Sequence, residues 1–447
     1  MPIHEIYRPD VAKYGGTAAA HPEIIFQQDS HPDNQVRIMV ISAPGREADF
    51  PEKLTTALLN GGGLPAAQER FAHIARRLFG PKGEALVGPE IVLADMPQDY
   101  ERWQTEGHAL EALGEYWSAR MYAAYSGREF VDAAEVVRLD REGKVDLASS
   151  VEAIQGRFQP RRQYIVPGFY GSDPDGRIRT LGRNSSDTTG ALIARALHSP
   201  HYYNFSDQDG WHSGPPDTVE NSTVRDRITY REGHELVLGG YAVLAAESFV
   251  YLRGSGVETV ICNAFGRPGN RGTRLSDDRD WQDSPLAAVT GRLELVSMAL
   301  TNPLLNEQVG GTEAVFEYMQ ALGVPYESIT TATEDITWFA AGDHQAALEA
   351  IADSQGHVGL NRTAIRPEGS VHIVGEGLAD RNPLSYDVIG RVGHVFLEAG
   401  IEDHGIARNG DSPSLTMFVD PETLSAQADP NAFRLAHDAL AELLQNN

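Results

Sequence analysis

The chain has 447 residues, 41% of them hydrophobic and 22% charged, which fits a folded protein of more than one domain and excludes a disordered or fibrous one. A formal net charge of −26 excludes general affinity for nucleic acid or anionic lipid, but not an anionic substrate met by local cations. No apolar run approaches the roughly 18 residues of a membrane span, and the opening MPIHEIYRPD lacks a signal-peptide core, so a cytoplasmic location is the expectation.

The first stretch with chemical content is AKYGGTAAA, residues 12–20. Adjacent glycines permit a positive φ and let backbone amides approach an anion closely. A helix opening after Thr17 adds free N–H groups, and Lys13 adds a full charge. The combination suits a phosphate, although the Gly-x4-Gly-Lys-Ser/Thr spacing of the P-loop is absent. Lysine is scarce elsewhere: only Lys53, Lys82 and Lys144 accompany Lys13.

RIMVISAPG then reads as a buried parallel strand, KLTTALLNG and EALGEYWSARMYAAYSG as helices, and REFVDAAEVVRLD as a further apolar stretch. RQYIVPGFYGSDPDGRIRTLG predicts a strand, a turn at DPDG and a second extended piece. In TLGRNSSDTTGA, Arg183 stands at a Gly turn, where a guanidinium suits a carboxylate. Ser185, Ser186 and Asp187 precede a helical pattern, a place where such residues ordinarily cap. HSPH offers no metal site, since a Pro separates His198 from His201 and no carboxylate follows at ligand spacing. Cys262 is the one cysteine, which excludes an intrachain disulfide and a cysteine zinc site; its setting in VETVICNAF predicts a packed thiol. The alternation of apolar runs and helices implies an α/β sheet covered on both faces.

NRGTRLSDDRDWQDSP, near 270–285, reads as a linker. Beyond it the chain repeats one pattern: strand, helix ending near Gly, strand, strand, helix. LELVSMALTNPLL, GGTEAVFEYMQALG, ITWFAA and HQAALEAIADS make the first copy; SVHIVGEGL, DVIGRVGHVFLEAG, PSLTMFVD and NAFRLAHDALAELL make the second. This is an internal repeat of a βαββαβ unit, suited to sensing or dimerisation.

Taken in order, these motifs resemble the aspartate kinase family. AKYGGTAAA is similar to its KFGGTS opening, VISAPGREADFPEKLT to its VSAPGK segment, and GEYWSARM to its GE-x-x-S helix. VPGFYG is similar to its GF-x-G, LGRNSSDTT to its LGRGGSDxTA, FSDQDG to its WTDVDG, and ITYREGHELVLGGYAVL to the helix that follows. The C-terminal repeat resembles the family's paired ACT domains, and the likeness spans nearly the whole chain. It implies a kinase domain of the amino-acid kinase fold over 1–280, a three-layer αβα sandwich with a mostly parallel sheet. Two ferredoxin-like ACT domains are implied over 286–365 and 366–447, the first drawing in part on the C-terminal segment.

The resemblance implies transfer of the γ-phosphoryl group of MgATP to the side-chain carboxylate of L-aspartate. Lys13, Gly15, Gly16 and Thr17 would hold the phosphates, Asp187 would orient Lys13, and Ser206 and Asp207 would meet the nucleotide. Ser42, Thr55, Phe169 and Ser186 would line the substrate site; Glu115 would meet the substrate ammonium and Arg183 its α-carboxylate. On bland readings Glu115 is a solvated helix acid and Phe169 a core residue. Lysine or threonine would be the effector, bound where ACT units meet near 310–312, and a homodimer or larger assembly would form through them. The chain departs from the family at Ala18, Asn184, Ser185, Pro215, Pro216, Asp217 and Ala242. Those departures keep two alternatives open: a kinase for a different small amino-acid acceptor, and a non-catalytic ligand-sensing relative.

Overall fold

The computed structural model describes residues 7–29, 36–59, 63–79, 89–182, 185–269, 272–282, 284–301, 316–317, 319–321, 323–331, 335–353, 361–379, 384–408, 411–421 and 432–445. Arg183, Asn184 and most of the expected helix at 310–323 lie outside these residues. The chain forms two compact units. The first comprises Met1–Trp211, Val224–Arg231 and Val243–Arg279; the second comprises His212–Thr223, Glu232–Ala242 and Asp280–Asn447.

In the first unit the short strands are β1 (Asp10–Tyr14), β2 (Val36–Ile41), β3 (Glu129–Phe130), β4 (Tyr164–Pro167), β5 (Tyr170–Ser172), β6 (Ile178–Thr180), β7 (His201–Ser206), β8 (Arg227–Thr229), β9 (Glu258–Asn263) and β10 (Arg274–Ser276). Among the described residues, eight of them join in the order β3-β4-β2-β1-β7-β9-β10-β8, parallel throughout except for the β9–β10 pair. Runs such as VRIMVI are apolar on both sides because helices cover both faces. On one face Ala12, Tyr14, Met39, Ile41, Tyr203, Phe205 and Cys262 pack with Ala119, Tyr122 and Ala123 of helix Leu113–Ser126. Helix Ser186–Ala196 covers the central strands from the other side. Cys262 is buried there, as a packed thiol should be.

The expected turn at DPDG forms, with β5 and β6 as an antiparallel hairpin across it and Gly176 at φ +78°. The stretch expected as a linker near 270–285 does hold the change from the first unit to the second, at Arg279 and Asp280, but it is not all linker: residues 274–276 are β10, wedged between β8 and β9 with Leu275 fully buried. Polar neighbours disguised one short apolar anchor.

The second unit carries a six-stranded antiparallel sheet. Its strands are β11 (Ala288–Thr301), β12 (Ser328–Thr331), β13 (Asp335–Ala341), β14 (Asn361–Val374), β15 (Asp403–Ala407) and β16 (Ser414–Val419), in the order β12-β13-β11-β14-β16-β15. The two copies of the repeat are thus placed symmetrically, with the first strand of each at the centre. β11 and β14 pair along their lengths, interrupted by an irregularity between Arg292 and Leu295. Beyond it β13 joins the far half of β11; before it β16 joins the far half of β14. Each half-sheet therefore borrows a strand segment from the other copy and has its own apolar core, one around Val296, Met298 and Trp338, the other around Val371, Met417 and Phe396. Among the described residues, no helix is long and apolar enough to cross a membrane.

Candidate active site

The site follows from the strand order. β1 passes the chain to β2 on one side, while β7 lies on its other side. The chain goes on from β1 and from β7 toward opposite sides of the sheet, and it is at such a switch point that open α/β sheets form their ligand crevice, at the C-terminal strand ends. Lys13 sits one residue before the end of β1, in register with Asn204 of β7. Alternation along β1 sends Ala12 and Tyr14 into the apolar core and Lys13 to the opposite face.

There Lys13 Nζ lies 2.5 Å from Oδ1 of Asp187, in the first turn of helix Ser186–Ala196. The lysine is 8% exposed and the aspartate 5%. Asn204 Nδ2 donates to the same Oδ1 at 2.8 Å, and the Ala245 N–H donates to Oδ2 at 3.1 Å. A buried ion pair survives desolvation only when its remaining polar atoms are also satisfied, and here the carboxylate has three donors. The capping reading of this segment is corrected. Asp187 turns to Lys13 and the strands, and the Ser185 hydroxyl donates to Gly182 O at 2.7 Å and accepts nothing from the helix's own N–H groups.

The glycines beside Lys13 serve close approach rather than a positive φ, which corrects the first expectation. Gly15 is extended at φ −68°, and neither it nor Gly16 is left-handed. A Cβ on Gly16 would stand 3.1 Å from Ala43 O; one on Gly45 would stand 2.7 Å from the Gly16 carbonyl carbon and 2.8 Å from Thr17 N. The loop after β2 thus lies against the Gly-Gly-Thr turn, joined by Gly45 N–H to Gly16 O at 2.7 Å. Buried Arg70 fixes that loop by donating to the Gly45 and Phe50 carbonyls and pairing with Glu47 at 3.1 Å. The helix after the turn is a single short piece, Gly16–Ala19, followed by Pro22–Asp29. At the end of β7, Ser206 Oγ accepts the Gln208 N–H at 3.1 Å, and Thr17 Oγ1 donates to Asp207 Oδ2 at 3.3 Å. Thr17, Ser206 and Asp207 therefore share one rim.

Glu115 is not a solvated helix acid. It lies in the first turn of helix Leu113–Ser126, buried, and accepts a hydrogen bond from the Ala43 N–H. Gly114 permits this, since a Cβ there would stand 2.9 Å from Ala43 Cβ. Burial pushes the Glu115 carboxyl up to about 8, against the lowering effect of the amides of Ala43 and of its own residue. Its Oε2 is buried without a hydrogen-bond partner. Such an atom is costly unless a ligand completes it.

Ser42 is buried at the end of β2, with its N–H on Tyr14 O at 3.2 Å, and half-buried Thr55 opens helix Leu54–Leu59. Phe169 is half-buried rather than core, and is held at φ +80°, rare for a residue with a Cβ. Leu181 N–H and the Ser185 hydroxyl point at its carbonyl, at 2.8 and 3.4 Å. A Cβ on neighbouring Gly168 would meet Ser186 Cβ at 2.5 Å. Gly168, Phe169, Ser185 and Ser186 thus form one corner, beside Asp187. Arg183 lies outside the described residues, and Pro215, Pro216, Asp217 and Ala242 belong to the second unit.

Sequence reasoning missed Asn204 and the Ala245 amide. Asn204 had a signal, a lone amide in the middle of the strand HYYNFS; a backbone N–H has none. Among the described residues, one group of three metal-type side chains converges, Glu402, His404 and Asp420, in the second unit and largely exposed.

Residues 11–263 match the amino acid kinase family. Aspartokinase 3 of Bacillus subtilis is 27% identical over 354 residues, covering 73% of this chain and 76% of that protein. Other matches are shorter: an aspartokinase of Thermus thermophilus is 27% identical over 224 residues, 48% of this chain and 54% of that protein. The aspartate kinase of Clostridium acetobutylicum superposes with a TM-score of 0.77 at 22% identity, over 96% of this chain and 99% of that one. Aspartokinase III of E. coli, in complex with aspartate and ADP, superposes at 0.75 and 21%, over 97% and 100%. The chain belongs to the amino acid kinase family, and the proteins it resembles over most of its length are aspartokinases.

Proposed function

We propose that this protein phosphorylates the side-chain carboxylate of L-aspartate with ATP, giving 4-phospho-L-aspartate and ADP. The carrying observation is the buried Lys13–Asp187 pair at the β1–β7 crevice, with the Gly15–Thr17 turn on the same rim. A carboxylate is a nucleophile at neutral pH, so the site needs no strong general base. It must bring two anions together and balance charge while the carboxylate oxygen bonds to the γ-phosphorus and the bond to ADP breaks. Lys13 is the cation for that task, with the amides of Gly15, Gly16 and Thr17 beside it; Ser206 and Asp207 would meet the nucleotide.

On the acceptor side Glu115 takes the substrate ammonium, which fits its unpartnered Oε2. Arg183 grips the α-carboxylate, and Ser42, Thr55, Phe169 and Ser186 line the pocket. Mg²⁺ would arrive with ATP and spread the phosphate charge. Because both Asp187 oxygens already accept donors, this chain's part is to hold phosphates and leave the ion mainly to phosphate oxygens. A cytoplasmic setting and a homodimer belong to the same reading, as does feedback by lysine or threonine at the paired ACT-like repeat.

Incubation with MgATP, L-aspartate and hydroxylamine should trap an aspartyl hydroxamate; its absence, with a working control kinase, rejects the reading. Binding of lysine or threonine should raise Tm, by about 2.7 kcal/mol of stability at 100 times Kd. No shift with either removes the effector assignment and leaves the phosphotransfer standing.

A further inference from the structure

We infer that Asn204 is a positioning residue for phosphotransfer: it holds the Asp187 carboxylate in place while the Lys13 ammonium moves from that carboxylate toward the transferring phosphate. The inference rests on the kinase reading above and deepens it.

A buried amide in the middle of a central strand is costly unless its polar atoms are used. Asn204 is 1% exposed and its β-strand neighbours Tyr203 and Phe205 enter the apolar core of the other face. Its Nδ2 donates to Asp187 Oδ1 at 2.8 Å, the oxygen that Lys13 also contacts. Tyr202, two residues earlier on the same face, donates its hydroxyl to the Asp187 backbone carbonyl at 3.1 Å. Helix Ser186–Ala196 comes this close because Gly190 has no Cβ, which would stand 2.6 Å from the Tyr202 ring. β7 therefore presents two donors to one aspartate, one for its side chain and one for its main chain.

The division of labour follows from charge. Lys13 is the mobile donor, because a phosphate competes for it. Asn204 is neutral and short, so an arriving anion does not draw it away. When the ammonium leaves Oδ1, Asn204 and the Ala245 N–H on Oδ2 keep the carboxylate from rotating. The aspartate then stays where it can receive the ammonium back when ADP departs. Without Asn204, Lys13 and Asp187 would pair in several geometries, only some of them productive.

Asn204→Ala and Asn204→Leu should lower kcat about tenfold or more, with KM for aspartate changed less than about twofold. In an Asp187→Asn background, Asn204→Ala should cost almost nothing further, because its effect passes through the carboxylate. Asn204→Asp should be worse at pH 8 and recover as pH falls, when one of two facing carboxyls takes a proton and again donates. An Asn204→Ala enzyme that is folded and retains wild-type kcat overturns the inference, as does a loss that adds fully to that of Asp187→Asn. Should the alanine and leucine variants not fold, a flat pH profile for Asn204→Asp overturns it instead. If wild-type protein yields no hydroxamate, the acceptor reading fails separately. Asn204 is then judged by MgATP calorimetry, where Asn204→Ala should weaken binding several-fold and unchanged affinity overturns the inference.

Discussion

Glu115 shows most plainly how burial changes the chemistry of an ordinary residue. Its carboxyl is raised to about 8 from an ordinary value of 4.5, chiefly by burial. The folded state therefore keeps a proton that the unfolded chain has already lost between those two values, and more protons bound in the native state mean that stability falls as pH rises through that window. Tm should decline from about pH 5 to pH 8 by more in the wild type than in Glu115→Gln. Equal slopes would show that Glu115 does not titrate as its burial implies. Substrate ammonium prefers the ionised form, so KM for aspartate should fall as pH rises through about 8, and Glu115→Gln should flatten that dependence while raising KM. The sequence marked Glu115 by its motif, but its burial depends on Gly114 and Ala43, which approach only in the fold. Asn204 carried a signal, a lone amide in a strand, but not its partner: nothing in HYYNFS says which face meets a helix from elsewhere in the chain.

At the scale of elements, the Gly-Gly-Thr turn and the loop after β2 form one rigid piece. Backbone lies against backbone at Gly45, with no flexible side-chain end to give way. Gly45→Ala should therefore cost about 1–3 kcal/mol of stability and reduce phosphotransfer more than aspartate affinity. A Tm within a degree of wild type, with unchanged kcat, would show that the loop adjusts freely. The strands and helices of this region were legible because long apolar runs and helical periodicity carry their own signal. β10 was not, since three residues among acids and arginines read as linker until β8 and β9 flank them. The Lys13–Asp187 meeting is a pairing of residues 174 positions apart (187 − 13), visible only through motif order.

Across the whole molecule, the chain passes between its two units more than once. Residues 212–223 and 232–242 belong to the second unit although their neighbours belong to the first. The repeat was legible as a repeat, but the sharing of β11 and β14 between half-sheets was not, because a linear reading gives each copy its own strands. The −26 charge also leaves its mark at this scale. On the proposed reading, chemistry on anions in so acidic a chain depends on a few placed cations, and among the described residues Lys13 is the lysine buried at the C-terminal edge of the sheet. The most direct measurement is therefore ATP-dependent aspartyl hydroxamate formation by Lys13→Ala beside wild type, with Tm recorded for both. The account predicts a fall of about a hundredfold or more with the fold retained; a folded Lys13→Ala protein within a few-fold of wild-type rate would contradict it.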